Sequence, residues 1–148
     1  MRLAILSKGA ANYSTQRLKQ VAKDRGHSVR VINYAKCYVT VEKNNPVVHY
    51  KGEALTGFDA IIPRIAQSYT KYGSAIVRQF EMQGVYTTAS SIAINRTRDK
   101  FRSYQLLAKA GVGIPKTVFA RETADLDKKK KKAGGTPLII KVARGTHG

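Results

Sequence analysis

The tightest constraint on the fold is a change of hydrophobic period repeated within the first thirty-odd residues. Arg2–Ser7 (RLAILS) is a short aliphatic run suited to a buried strand. Ser14 is placed to cap a helix over Thr15–Arg25, with Leu18, Val21 and Ala22 as its apolar stripe and Gly26 at its stop. His27–Asn33 (HSVRVIN) then reads as a second strand. Strand, helix and strand in so short a span make a βαβ unit, which places two strands parallel and brings their carboxyl ends to one edge.

The same alternation continues. Cys37–Val48 reads as irregular and polar, with Asn44-Asn45-Pro46 as a turn signal, and Val47–Tyr50 with Gly52–Leu55 reads as a hairpin about Lys51-Gly52. Asp59–Ile62 is a third apolar strand, which Pro63 is expected to end. Tyr72–Gln83 is a helix turning Ile76, Val77 and Phe80 inward and closed by Gly84. Val85–Thr88 is a short fourth strand and Ser90–Asn95 a short helix. The fold class is therefore α/β, a Rossmann-like open, mostly parallel sheet flanked by helices.

Between Thr88 and Asp99 the pattern changes. Asp99–Ala110 is a helix with Phe101, Tyr104, Leu106, Leu107 and Ala110 mainly on one side, ended by Gly111. Thr117–Ala120 and Pro137–Val142 read as strands, and the charged stretch Glu122–Ala133 between them as an exposed helix or loop. This divides the chain into a domain over residues 1–95 and the opening of another over 96–148.

Composition narrows the setting. Hydrophobic residues make up 43% of the 148, enough for a core without disulfides, and the single cysteine, Cys37, excludes an internal one. That fits a reducing, cytoplasmic location. The first apolar run is only four residues and no later run approaches membrane-spanning length, so no membrane partner is expected. The net charge of +18, with five lysines at Lys128–Lys132, attracts polyanions. ATP, RNA, the ribosome surface and acidic protein tails all fit that field, and five lysines without interleaved aromatics give no sequence readout.

Four places carry possible chemistry. The loop Ser7–Ser14 follows the first strand, a usual phosphate position, but lacks the G-x-G-x-x-G spacing and an acidic residue at the end of the second strand. Arg64, after Ile62-Pro63, falls at the carboxyl edge of the sheet, where it can clamp a carboxylate; the structural alternative is a surface or ion-paired arginine. Lys100 sits on the first helical turn, where the helix dipole disfavours a cation unless a bound phosphate or Asp99 offsets it. Lys141 lies between Ile140 and Val142, where a ligand-facing charge is favoured over an edge residue in water. Gly145, Thr146 and Gly148 then resemble a loop over phosphates, a signal of little specificity alone. His27, His49 and His147 are scattered, so no metal site is expected, and no nucleophilic triad is visible.

Together MRLAILSKG, VVHYKGEALTGFDAIIPRI, YGSAIVRQFEMQGVY, SIAINRTRDKFRSYQLLAKAGVGIPKT and GGTPLIIKVARGTHG resemble the ATP-grasp ligases, and closely the RimK type, over nearly the whole chain. The most specific parts are Arg-Asp-Lys before a Leu-Leu-rich helix with Gly and Pro-Lys-Thr, and the strand lysine before Gly-Thr-x-Gly. The resemblance implies a pre-ATP-grasp domain over 1–95, then the start of an ATP-grasp subdomain. It places Lys100 and Lys141 on the lysines that hold ATP phosphates. It implies a ligase that activates a peptide carboxylate as an acyl phosphate and joins it to glutamate, modifying the C-terminus of a small-subunit ribosomal protein, with ATP and magnesium as cofactors in a complete relative. It also implies homo-oligomers. The metal-holding carboxylates and the adenine-binding strand of that family lie beyond what this sequence matches, so the expectation is an N-terminal portion, truncated and inactive alone, with the catalytic residues unknown. The alternative is a basic, non-catalytic module that binds RNA, the ribosome or acidic protein tails.

Overall fold

The computed structural model describes residues 1–122 and 124–141. The chain divides into two compact units, Met1–Asn95 and Arg96–Gly148.

In the first unit, β1 (Arg2–Ser7), β2 (Ser28–Ile32), β6 (Ala60–Arg64) and β7 (Tyr86–Thr87) form one sheet in the order β2-β1-β6-β7, with every pairing parallel. The β1–β2 and β6–β7 crossovers each carry a helix. α1 (Tyr13–Asp24) joins β1 to β2 and packs against them on one face. α2 (Thr70–Met82) joins β6 to β7 and closes the other face. A second, antiparallel sheet of β3 (Cys37–Glu42), β4 (Asn45–Tyr50) and β5 (Glu53–Ala54) lies between β2 and β6 in sequence and also packs against α2.

The core follows from the period-2 alternation of the strands. Ala4 and Leu6 of β1, Ile32 and Ile61 are buried with Tyr34, Val48, Leu55, Ile76, Val77 and Phe80, joining the parallel sheet, the hairpin sheet and α2. The inward residues expected on α2, Ile76, Val77 and Phe80, are all buried there. Phe80 meets Phe58 edge-on with ring centroids 6.4 Å apart.

Three expectations need correcting. Cys37–Val48 is not irregular: β3 and β4 pair from Cys37↔Tyr50 to Glu42↔Asn45 around a turn with Asn44 at φ 60°. The β-branched and aromatic run Tyr38-Val39-Thr40-Val41 carries the strand, and the polar Lys43–Asn45 segment is only its turn. The next turn is as expected, Lys51 at φ 53° and Gly52 at φ 82°, the left-handed pair that a two-residue hairpin needs. Pro63 does not end its strand, because it pairs with Leu6 inside β6. The carbonyls of Asp59 and Ile61 accept from the amides of Tyr86 and Thr88, so alternate β6 residues face β7. Pro63 is next in that alternation, where β7 has already stopped and an N–H has no partner to lose. The cap of α1 is Asn12, not Ser14, which lies within the helix.

α3 (Ser91–Thr97) begins in the first unit and runs across the boundary, and the second unit continues with α4 (Lys100–Lys109) and α5 (Leu126–Ala133). Asp99 caps α4 by accepting from the Arg102 amide at 3.0 Å. Phe101 stacks on Phe119 at 4.2 Å between centroids. The strands expected at Thr117–Ala120 and Pro137–Val142 are absent among the described residues, where 117–120 and 137–141 form no ladder. Strand propensity needs a neighbouring strand to satisfy the backbone, and none is set beside these segments; Ile139 and Ile140 are left exposed.

Candidate functional site

The strand order reverses direction at β1: the chain steps to β2 on one side, then returns to β6 on the other. In open parallel sheets the crevice beyond the carboxyl ends at such a point is where ligands bind. Ser7 and Arg64, the last residues of β1 and β6, pair directly there.

Arg64 thus stands at the carboxyl edge that its sequence position implies, and it is exposed. Its guanidinium donates to Ser14 Oγ, in the first turn of α1, at 2.6 Å. The acceptor is uncharged and the bond lies open to water, so it contributes only about 1 kcal/mol. A carboxylate offered to the same guanidinium forms stronger, two-pronged bonds, so the serine is a partner that a substrate carboxylate can displace. Next to it, Ser7 Oγ and Thr15 Oγ1 are 3.1 Å apart in the buried interior and tie β1 to α1. The Lys8 ammonium lies 3.8 Å from the centre of the Tyr69 ring, a cation–π contact that holds a second charge at this edge. The segment after β6 is fixed from below: the buried Tyr34 hydroxyl accepts from the Ala66 amide at 2.9 Å, and Tyr34 packs edge-on to Tyr69.

The sequence reading identified Arg64 but not Lys8, Tyr69 or the Ser14 contact. Lys8 was legible as the first residue past an apolar strand. Tyr69 was not, because its role depends on how the chain turns after β6.

The remaining candidates lie in the second unit. Lys100 is the first residue of α4 and half-buried, directly after its cap Asp99. The Asp99 carboxylate supplies negative charge at that helix start, so the lysine is tolerated there without a bound phosphate. Lys141 follows α5 in a segment that is neither helix nor strand, where a lysine within an apolar strand was expected, and it is exposed. Gly145, Thr146 and Gly148 lie outside the described residues. The lysine tract forms most of α5. There Lys128 pairs with Asp125 at 3.2 Å, Lys130 with Asp127 at 3.5 Å, and Lys129 donates to the carbonyls of Glu122 and Ala124. Among the described residues no three His, Cys, Asp or Glu side chains converge to hold a metal, and no helix is long and apolar enough to cross a membrane.

Comparison with known proteins gives these positions a context. Residues 1–94 match the family model of the RimK PreATP-grasp domain and residues 97–148 that of the RimK-like ATP-grasp domain. The chain is 54% identical over 148 residues to a probable alpha-L-glutamate ligase of Hydrogenovibrio crunogenus and 53% identical to one of Nitrosococcus oceani. In both cases all of this chain aligns with 49% of the relative, so it spans about half their length. Among solved structures, the ATP-grasp ligase PsnB complexed with a phosphomimetic variant of its minimal precursor, Mg and ADP superposes with a TM-score of 0.66. The overlap covers 90% of this chain and 52% of PsnB at 15% identity, a likeness of fold alone.

Proposed function

The chain belongs to the RimK family of ATP-grasp proteins, and on that premise we propose that it serves an ATP-dependent ligase that joins glutamate to a peptide carboxylate, the C-terminal tail of a small-subunit ribosomal protein. The observation that carries the reading is that the two family domains abut and tile the chain, at 54% identity to a protein named for glutamate ligation.

In this reading a carboxylate oxygen of the tail attacks the terminal phosphorus of ATP and releases ADP. The amine nitrogen of glutamate then attacks the acyl carbon, phosphate leaves, and an amide bond remains. Lys100 and Lys141 neutralise phosphate oxygens, and Gly145, Thr146 and Gly148 are the residues proposed as the phosphate loop. Arg64 exchanges its Ser14 contact for a substrate carboxylate, and Lys8 adds charge to the same edge. Positioning and charge stabilisation are what phosphoryl transfer demands of a protein. The described residues do not fit a magnesium site, since no carboxylate cluster is assembled among them, and no step here is assigned to the metal.

Two lysines without a metal cluster stabilise a triphosphate only slightly in water. The 148-residue chain is therefore expected to bind ATP weakly by calorimetry, with Lys100→Ala and Lys141→Ala each weakening it further, and to add no glutamate to a ribosomal-tail peptide by mass spectrometry. A micromolar isotherm indifferent to both substitutions overturns the role given to the two lysines, and turnover overturns the expected inactivity of the chain alone while supporting the ligase reading. The second reading, a module that docks on RNA, is favoured by the exposed α5, where Lys131 and Lys132 point to solvent. It requires RNA binding whose steep salt dependence flattens when Lys128–Lys132 are replaced by serine.

A further inference from the structure

The opposite, amino-terminal edge of the parallel sheet holds a cavity of about 250 Å³ lined by Arg2, Ser28, Arg30, Thr56 and Phe58, among others. We propose that it is a binding site for a small oxyanion, a carboxylate or a phosphate, held by the Arg2 and Arg30 guanidiniums. This proposal does not draw on the ligase reading. β1 is six residues long, so the cavity lies roughly 16 Å from the carboxyl edge that carries Arg64.

The strand register puts the two arginines together. Arg2 pairs with Ser28 and Ala4 with Arg30, so Arg2, Ser28 and Arg30 project from one face of neighbouring strands. Arg2 is held in place. Its amide donates to Asp59 Oδ2 at 2.6 Å and its carbonyl accepts from the Asp59 amide at 2.9 Å. Its guanidinium carbon lies 5.6 Å from the centre of the Phe58 ring. The guanidinium also occupies the space a side chain at residue 57 would fill: a Cβ on Gly57 would meet Arg2 Nη1 at 2.5 Å, and Gly57 has φ +70°.

The charges at the cavity do not balance. Arg30 is paired with Glu53 at 2.8 Å, and that pair is open to solvent. The Arg2 guanidinium has no hydrogen-bond or ion-pair partner among the described residues, and the nearby Asp59 carboxylate is engaged by the Arg2 main chain instead. A guanidinium held over an aromatic ring makes no hydrogen bond to it, so its donors stay free, and their fork matches a carboxylate or phosphate. Ser28 and Thr56 line the same space, and their hydroxyls are available as neutral donors. Size limits the occupant. Pockets for drug-sized ligands run from about 300 to 1,000 Å³, so this one suits a small anion rather than a nucleotide.

The test is an amide NMR titration of the 148-residue chain with inorganic phosphate and, separately, with succinate. Ionic strength is held constant, so that screening of the +18 charge does not contribute. Saturable shifts at the Ser28, Val29 and Thr56 amides are expected with at least one anion. Phosphate alone, succinate alone or both responding names the preferred class. Arg2→Gln and Arg30→Gln should each weaken that binding about tenfold, as expected for loss of a charge-assisted bond, while Arg64→Gln leaves it unchanged. Two arginine variants are used so that misfolding of one does not decide the outcome. Shifts that never saturate, that persist in both variants, or that appear only around Ser7 and Arg64 overturn the site.

Discussion

Removing one oxygen from the interior tests how the carboxyl edge is positioned. Tyr34 is fully buried, and its hydroxyl is the acceptor for the Ala66 amide at 2.9 Å. Tyr34→Phe keeps the ring and its edge-on contact with Tyr69, 6.1 Å between centroids, and deletes only the acceptor. The Ala66 amide then loses its partner. The bond is part-buried and Ala66 itself is exposed, so water recovers some of the loss. That sets the cost at about 1 kcal/mol, the usual net worth of such a bond. For a unit of 95 residues this lowers the melting temperature by roughly 4–8 °C. Tyr34→Ala, which also empties the ring's volume, should cost about 3–5 kcal/mol. Urea unfolding followed by far-ultraviolet circular dichroism gives the stability, and amide hydrogen exchange reports Ala66 directly. If the phenylalanine variant is as stable as the parent and Ala66 exchanges at the same rate, the bond does not exist and the account of how Arg64 to Tyr69 is held is wrong. If both variants lose the same amount, the hydroxyl and not the ring is what matters.

Two further outcomes are expected. Glu81 on α2 accepts from the Ser91 amide at 2.9 Å and from Ser91 Oγ at 2.6 Å, joining α2 to the start of α3. Glu81→Ala should therefore cost about 1.5–3 kcal/mol, and Glu81→Gln less, read as a shift in urea midpoint at constant slope. Burial pushes the Cys37 thiol from its ordinary 9.0 up to about 11. The unfolded thiol ionises first, so this group favours the folded state fully below pH 9 and that contribution is lost as pH rises through about 11. At pH 8 the thiolate fraction in the fold is about a hundredfold lower, and alkylation by iodoacetamide should be slower by at least that factor than in urea; equal rates would contradict it.

Much of the first unit was legible because its elements carry their own hydrophobic period. RLAILS and Asp59–Ile62 are aliphatic enough to be central strands, and Ile76, Val77 and Phe80 mark one helix face. The β3 strand was harder to see, because the polar turn at Lys43–Asn45 drew its flanking valines into one irregular segment. Pro63 was misleading for a geometric reason: whether a proline breaks a ladder depends on which side its nitrogen faces, and that depends on the length of β7. In the second unit the apolar runs at 117–120 and 137–141 promised strands from composition alone, yet a strand is a relation between two segments. The location of Arg64 followed from strand polarity. Its contact with Ser14 did not, because it required knowing that α1 begins at Tyr13 and turns Ser14 toward the sheet.

The early stop of β7 has a consequence for how this unit behaves in a crowd. The β6–β7 ladder stops at Ile61↔Thr87, and a strand rim left without a neighbouring strand is the kind of template on which foreign chains add strands and aggregates grow. Pro63 stands on that rim with no hydrogen to offer. An incoming backbone finds a gap in the row of donors where it would have to zip up, so the proline guards an opening that the short neighbour leaves behind.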